Sequence, residues 1–468
     1  MMSDLSDLAM RFSGRLLTDP VDTAPFLADW RGLWHGRARA VAQPDTPQDV
    51  AAVVRWCAER GIPLIPQGGN TGMSGGATPD TSGEAMVLSL TRLNRIRAID
   101  TANDTISVDA GCVLAAVQDA ACVAGRFFPL SLGAEGSCTI GGNLATNAGG
   151  TAVLRYGNAR DLCLGIEVVT AEGELWDGMR ALRKDNSGYG LRDLIIGSEG
   201  TLGIITGAVL KLFPAPAAYQ TAFAALPDPA AALLFFRSIA ARFGHALTAF
   251  EIMSSTCLDL VIAHVHGTRR PLKTAAAWYV LVELSSMPGS PIDQADFDAA
   301  LADAFEDEII SDAAIAASEA QRKAFWRLRE SISEAQGAIG KTIKHDIALP
   351  RSAIPAFLDD AGAALLDVTA EMIAVTFGHL GDGNLHFNFS PRAGADQQRF
   401  IAAQDELNHL VHDIVARHGG TFSAEHGLGV LRRDEAKRLK SPVEMAMMAA
   451  VKRALDPRGI LNPGKVLA

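Results

Sequence analysis

The sequence predicts an α+β protein of more than one domain, with an antiparallel sheet in its second half. Three observations carry this. A chain of 468 residues exceeds what one hydrophobic core usually organises. Up to Phe213, short apolar runs alternate with helices and are interrupted by two long glycine-rich segments. Beyond an Ala/Pro stretch from Pro214 to about residue 231, long amphipathic helices alternate with strands, the pattern of an α+β unit.

Composition narrows the class. Hydrophobic residues make up 48% and charged residues 20%, as in soluble globular chains. The net charge of −11 leaves no basic stripe to neutralise phosphates and argues against a nucleic-acid partner. The six cysteines, Cys57, Cys112, Cys122, Cys138, Cys163 and Cys257, include no Cys-x-x-Cys pair. That spacing disfavours zinc ribbons, thioredoxin-like chemistry and self-contained iron–sulfur clusters, and reads as reduced core cysteine. No apolar run reaches membrane-spanning length, and the N-terminus lacks a basic segment followed by an apolar one. The expectation is a cytoplasmic protein without a transmembrane segment.

In chain order, residues 1–45 read as helix and loop without a motif. Thr46-Pro47-Gln48-Asp49 opens a helix, with Thr as N-cap, Pro at the first helical position and an acid in the first turn; it stops at Gly61. Ile62-Pro63-Leu64-Ile65 reads as a strand, as do Val87–Leu90, Ile106–Asp109, 165–170 and 203–213, with a helix over 113–124. In the second half, helices are expected over 231–243, 294–305 and 314–338, and strands over 246–253, 278–284, 341–349, 371–378 and 384–390. A helix over 397–417 follows. Ser441-Pro442-Val443-Glu444 is a capping box for a helix to Leu455, broken by Asp456-Pro457-Arg458-Gly459.

Three stretches carry chemistry. Pro66-Gln67-Gly68-Gly69-Asn70-Thr71-Gly72-Met73-Ser74-Gly75-Gly76 directly follows a buried-looking strand, and its bare backbone suits close approach to a phosphate; the alternative is a plain surface loop. Residues 131–150 hold almost no bulky side chains, as a backbone lying against something flat or charged would require. Third, Gly378 to Asn388 reads as a hairpin turning at Asp382-Gly383-Asn384. It brings His379 near His386, with Asn388 on the face of His386. A metal site completed from Glu425-His426-Gly427, or a polar hairpin with two surface histidines, both fit. Asp382 reads as a turn residue. Gly459 to Lys465 has the letters of a nucleotide loop but lacks the Ser/Thr and follows a helix instead of opening one. No Gly-x-Gly-x-x-Gly follows a strand, so a Rossmann site is unsupported, and no His-Glu-x-x-His occurs.

In this order and spacing, Pro66–Met73, Gly136–Gly150, Ile196–Thr206 and Asp456–Lys465 resemble the vanillyl-alcohol-oxidase (PCMH) flavoprotein superfamily. The resemblance runs over nearly the whole chain. It implies a two-part PCMH-type FAD-binding domain at 1–220, an α+β cap (substrate) domain at 221–418 and a C-terminal segment, 419–468, returning to the flavin. The FAD contacts it implies are Pro66, Gly68, Gly69, Asn70, Thr71, Gly72, Met73, Gly133, Ser137, Gly141, Gly142, Asn143, Thr146, Asn147, Gly149, Glu199, Gly200, Gly203, Ile204 and Asn462. Some superfamily members attach the flavin to a histidine of the first loop; Asn70 stands there, so FAD is expected to be non-covalent.

Within that superfamily, Trp326–Ser333, Ile343–Asp346, Gly378–Asn388 and Ala424–Gly427 resemble the D-2-hydroxyacid dehydrogenases, most closely the D-2-hydroxyglutarate dehydrogenase type. The resemblance implies His379, His386 and Glu425 as ligands of a divalent metal, zinc or another such as manganese. It implies His426 as catalytic base, and Arg329, Ser333, Lys344 and Asn388 as substrate contacts. Ser333 stands where the family pattern has Thr, which keeps the hydroxyl. Oxidising a 2-hydroxy acid removes a hydroxyl proton, which suits a histidine, and a hydride from C2, which flavin N5 can take. D-2-hydroxyglutarate is the expected substrate, with D-lactate, D-malate and glycolate as alternatives. Electrons would pass to a separate carrier, an electron-transfer flavoprotein or a quinone. A flavin subunit working with an iron–sulfur partner, and a metal hydrolase using the hairpin alone, are the competing classes. The homodimer is an open expectation.

Overall fold

The computed structural model describes residues 2–365 and 372–467; Glu371, where the expected strand 371–378 opens, lies outside them. The chain forms two compact units. The first comprises Met1–Gly150, Gly157–Ala215 and Glu425–Ala468, the second Thr151–Tyr156 and Pro216–Ala424.

In the first unit the helix expected after Thr46 spans Pro47–Arg60. Thr46 Oγ1 accepts from Asp49 N, and the Asp49 carboxylate accepts from Thr46 N, both at 3.1 Å. Gly61, at φ 61°, ends the helix in the left-handed region. Val50, Val53, Val54, Trp56 and Cys57 are buried against Ala40, Ala42, Leu64, Met86 and Leu88 of a sheet. Its order is Arg15–Leu17, Ala40–Gln43, Met86–Ser89, Leu64–Gln67. Two of these strands come from residues 1–45, expected to be helix and loop only; runs of three and four residues are too short to show a period. A second sheet is antiparallel throughout, in the order Ile96–Asp100, Thr105–Asp109, Ile204–Lys211, Cys163–Val169, Leu175–Gly178. The two outer strands were not expected: Arg97, Asp100 and Asp177 interrupt the apolar alternation that marks a half-buried strand. The C-terminal segment comes back to this unit. Leu64 N donates to Ile460 O, and Asn462 N to Leu64 O, each at 2.8 Å.

The second unit is built on a seven-stranded sheet, in the order Asp312–Ile315, Ala218–Leu226, Trp278–Ser286, Leu247–Ser254, Met372–His379, Asn384–Pro391, Asp346–Ala348. Every pairing is antiparallel, as expected. Alternation along the strands separates two faces. Phe250, Ile252, Leu385 and Phe387 pack under Pro229–Phe243, Ile354–Leu365 and Gln404–Arg417. Met253, Leu281, Val375 and Phe377 pack under Ser255–His264, Glu319–Glu330 and Ile332–Ala338.

Several expected elements are corrected here. The Ala/Pro stretch is a boundary only at its start: Ala218–Leu226 is a central strand, hydrogen-bonded on both sides. Its alanines have low intrinsic strand preference, and burial decides the outcome. The expected helix 314–338 is an edge strand and two helices. Ser318 caps a new helix through Gln321 N, and the path turns again at Ser331. The expected strand 341–349 contracts to Asp346–Ala348 with a separate bridge between Ile343 and Phe389. Residues 397–417 form two helices joined at Ala403.

Asp49 does more than close its capping box. Its carboxylate also accepts from Ser13 N at 2.9 Å and Ser13 Oγ at 2.8 Å. Burial works against the charge, but these donors outweigh it and hold the group below the ordinary aspartate value. That stabilisation is present above the ordinary carboxylate pKa and is lost as pH falls through the lower folded value. Asp49→Ala is expected to cost about 2 kcal/mol at neutral pH, against about 1 kcal/mol for Thr46→Ala. Urea unfolding at neutral and acidic pH checks this, and the Asp49 difference should shrink in acid.

Candidate functional site

The first unit contains an open cleft. Gly68, Gly69, Gly72, Gly76, Gly141, Gly142, Gly200 and Gly203 are part of its wall. The loop 66–77, residues 139–146 and the segment 195–205 line it, together with Leu90, Ala110 and His426. The loop begins where the strand Leu64–Gln67 ends, so a rigid element aims it. A Cβ at Gly69 would sit 2.0 Å from Ser137 O, so only glycine lets these two segments close. Asn70 adopts φ 53°, and its Nδ2 donates to Ala28 O at 2.8 Å.

This cleft fits a dinucleotide. Thr139 Oγ1 and Ser198 Oγ are buried and have no hydrogen-bond partner among the described residues, and both residues line it. Buried hydroxyls left in this way match a ligand rich in acceptors. Bare backbone beside them admits a flat or phosphorylated group.

The second unit brings its functional candidates to one face of the sheet. His379 lies opposite Glu251, and His386 lies between Phe377 and Asp346 in register. Period-2 geometry therefore sets Glu251, His379, His386 and Asp346 on the same side. The two imidazoles stand 5.8 Å apart between centroids, tilted at 77°. Glu251, 1% exposed, holds the centre. Its Oε1 lies 2.7 Å from His379 Nδ1, and its Oε2 accepts from Arg329 Nε at 2.7 Å. Burial pushes this carboxyl up, but the His379 ring and the Arg329 guanidinium outweigh it and hold it below the ordinary glutamate range. With Nδ1 engaged, any metal ligation by His379 runs through Nε2, the carboxylate–histidine arrangement common behind metal ligands. Two imidazoles so arranged fit a zinc-like cation.

Arg329 also lies over the Phe377 ring, 4.7 Å from its centroid. Among the described residues only its Nε has a hydrogen-bond partner, which leaves the paired terminal nitrogens suited to a carboxylate. Asn388 is buried and internally engaged: Oδ1 accepts from His345 N and Nδ2 donates to Gln336 Oε1, both at 3.1 Å. Ser333 is exposed and Lys344 half-buried. The last residue of the unit, Ala424, donates its N–H to Asp346 O at 3.2 Å. Glu425 is the next residue along the chain.

Comparison with known proteins decides the family. The model for the C-terminal domain of FAD-linked oxidases matches residues 215–466, and the model for an FAD-binding domain matches residues 38–178. The chain belongs to the FAD-linked oxidases. This FAD-linked oxidase is 40% identical over 452 residues to the D-2-hydroxyglutarate dehydrogenase of Xanthomonas citri pv. viticola, covering 97% of this chain and 94% of that one. It is 38% identical over 465 residues to the mitochondrial D-2-hydroxyglutarate dehydrogenase of Bos taurus, covering 99% and 83%. Among solved structures, p-cresol methylhydroxylase aligns with TM-score 0.74 at 18% identity, covering 100% of this chain and 97% of that one. An alkyldihydroxyacetonephosphate synthase aligns with TM-score 0.75 at 17% identity, covering 99% and 86%. At such identities the likeness speaks for the fold, which is the expected PCMH type. The protein is an FAD-dependent dehydrogenase.

Of the cofactor residues expected from sequence, Pro66 to Met73 apart from Gln67, Gly141, Gly142, Asn143, Thr146, Glu199, Gly200, Gly203 and Ile204 line the cleft of this FAD-linked oxidase. Gly133, Ser137, Asn147, Gly149 and Asn462 lie outside that lining. Ser137 packs its carbonyl under Gly69, and Asn147 Oδ1 accepts from Arg160 N at 3.0 Å. Asn462 Nδ2 donates to Gly76 O and Glu199 O. Sequence reasoning missed Thr139, Ser198 and Glu251. Glu251 stands alone in an apolar strand, Leu247–Ser254, and a single acid at the centre of such a strand is the signal that could have found it.

Glu251→Ala would leave a buried guanidinium uncompensated and is expected to destabilise the second unit by about 3–5 kcal/mol. The double change Glu251→Leu with Arg329→Met should recover most of that loss. Urea unfolding of both variants measures it.

Proposed function

We propose that this protein oxidises D-2-hydroxyglutarate to 2-oxoglutarate. The observation that carries the reading is His426 in the wall of the glycine-lined cleft: a group able to take a proton beside the place the cofactor occupies. FAD, when bound there, supplies the acceptor for two electrons. His426 takes the hydroxyl proton, the general-base role an imidazole can fill. His379, His386 and Glu425 would hold a divalent cation, zinc or manganese, which stabilises a developing alkoxide when present. Arg329 and Lys344 would pair with carboxylate oxygens and Ser333 would add a contact, while Asn388, bonded to His345 and Gln336, has its second amide hydrogen left to offer a substrate. Two cationic partners favour a dicarboxylate over a monocarboxylate.

Support comes from the relatives named for D-2-hydroxyglutarate. A Schizosaccharomyces pombe relative, 36% identical over 457 residues, carries a provisional D-lactate dehydrogenase name, so D-lactate is the competing substrate. With no Cys-x-x-Cys pair in the chain, electrons leave to a separate carrier, an electron-transfer flavoprotein or a quinone.

Anaerobic mixing tests the reading. D-2-hydroxyglutarate should bleach the bound flavin faster than D-lactate, D-malate, glycolate or any L-isomer. EDTA should abolish bleaching and zinc restore it, and His426→Ala should lose bleaching with the fold intact. Faster bleaching by D-lactate would move the substrate assignment, and indifference to EDTA would remove the metal.

Asn70 offers no nucleophile for a flavin link and is spent on Ala28 O, so the FAD is non-covalent. Acid precipitation should therefore release all yellow colour into the supernatant.

A further inference from the structure

The segment after Glu425 and His426 has no regular secondary structure until Arg433, yet two side chains of its own unit fix it. Glu199 Oε1 accepts from Leu428 N at 2.7 Å, and Glu199 Oε2 accepts from Gly429 N at 2.9 Å. Ser74 Oγ donates to His426 O at 3.0 Å and to Gly427 O at 3.3 Å. Ser74 O in turn accepts from Val430 N at 2.8 Å and Leu431 N at 3.2 Å. The fit is tight: Gly427 has φ +72°, and a Cβ there would meet Glu199 Oε1 at 2.7 Å. Glu199 itself is held at φ 53°, a conformation unusual for its residue type. Asn462 Nδ2 donates to its carbonyl at 2.8 Å.

We propose that Glu199 and Ser74 form a latch that sets the position of His426, so that the cofactor cleft and the proton-accepting loop are built as one piece. The role of His426 rests on the function proposed above; the latch itself rests on the bonds just given. Both latch residues lie in segments that line the cleft. Ser74 belongs to the loop 66–77, and Glu199 to the turn between the helix Leu191–Ile195 and the strand Ile204–Lys211. Both oxygens of Glu199 are committed to backbone N–H groups, so its carboxylate serves the loop and is a positioning group. A glutamine keeps one acceptor and sets its amide donor against the other backbone N–H, which replaces one of the two bonds with a donor–donor contact. An alanine at 74 removes the hydroxyl proton shared between the two loop carbonyls.

The experiment uses the FAD-loaded protein with Glu199→Gln and Ser74→Ala, and His426→Ala in parallel. Hydrogen exchange of residues 425–431 should accelerate about tenfold or more in either latch variant, the effect of one lost bond on local opening. Any loss of FAD affinity should come together with faster exchange of 425–431, because the bonds lost are those that fasten the loop to the cleft's segments. Flavin bleaching at saturating D-2-hydroxyglutarate should slow about tenfold or more while KM changes little, the split expected when a group acting on bound substrate is misplaced.

Unchanged exchange at 425–431 in both variants would overturn the latch. So would a large loss of FAD affinity without faster exchange, which would make Glu199 a cofactor contact. Faster exchange with parental bleaching would overturn the positioning role. If His426→Ala keeps parental bleaching, the function reading fails on its own, and the exchange result still decides the latch.

Discussion

A carboxylate buried in an apolar sheet survives only if it is paired, and in the second unit everything chemical is arranged around that requirement. Glu251 sits on a strand whose neighbours Phe250, Ile252 and Met253 are all core residues. Isolated there, its charge would be too costly to keep. The two groups that satisfy it are an imidazole and a guanidinium, 2.7 Å away on each side. Satisfying the acid therefore fixes both the tautomer of His379 and the attitude of Arg329. The helix Glu319–Glu330 is held against the sheet by the same contact that orients the ring. Packing and site geometry are one constraint here.

The first unit answers a different problem, how to bring three stretches of backbone close enough to share a ligand. The glycine at 69 is required by the carbonyl of Ser137 packed on it. Hydroxyls of Thr139 and Ser198 stay buried without a partner of their own, a cost that a folded chain tolerates where a ligand completes the bonding. The loop that carries His426 is then fastened to the same stretches through Ser74 and Glu199. Preorganisation of this kind fixes where the loop carries His426 without relying on the loop's own rigidity.

Much of this was legible in the sequence, for identifiable reasons. Caps and hairpins are local, so the helix after Thr46, the helix after Ser441 and the turn at Gly383 could be read directly from neighbouring residues. The glycine-rich stretches and the histidine hairpin were legible because they depart so far from ordinary composition. What stayed hidden depends on distant partners. Ala218–Leu226 reads as a linker until the strands on either side of it are known. The strand Asp312–Ile315 was absorbed into a helix because Ala313 and Ala314 are good helix formers and only sheet pairing overrides them. Glu251 and Glu199 have local contexts that say nothing of the groups they meet, 128 and 229 positions along the chain.

The crossing of the chain between units has a consequence for synthesis. Residues 151–156 leave the first unit to join the second, where Arg155 donates to Ser285 O at 2.6 Å. The last strip of the first unit, Glu425 onward, is made after the whole of the second. On a ribosome the first unit must therefore wait, unfinished, while 216–424 emerge and fold. At about 5–20 residues per second that wait is on the order of 10–40 s. Throughout it the strand Leu64–Gln67 has an unpaired edge, because Ile460 and Asn462 have yet to arrive. Nascent chains stalled in this interval would be the ones most open to capture by chaperones or by one another.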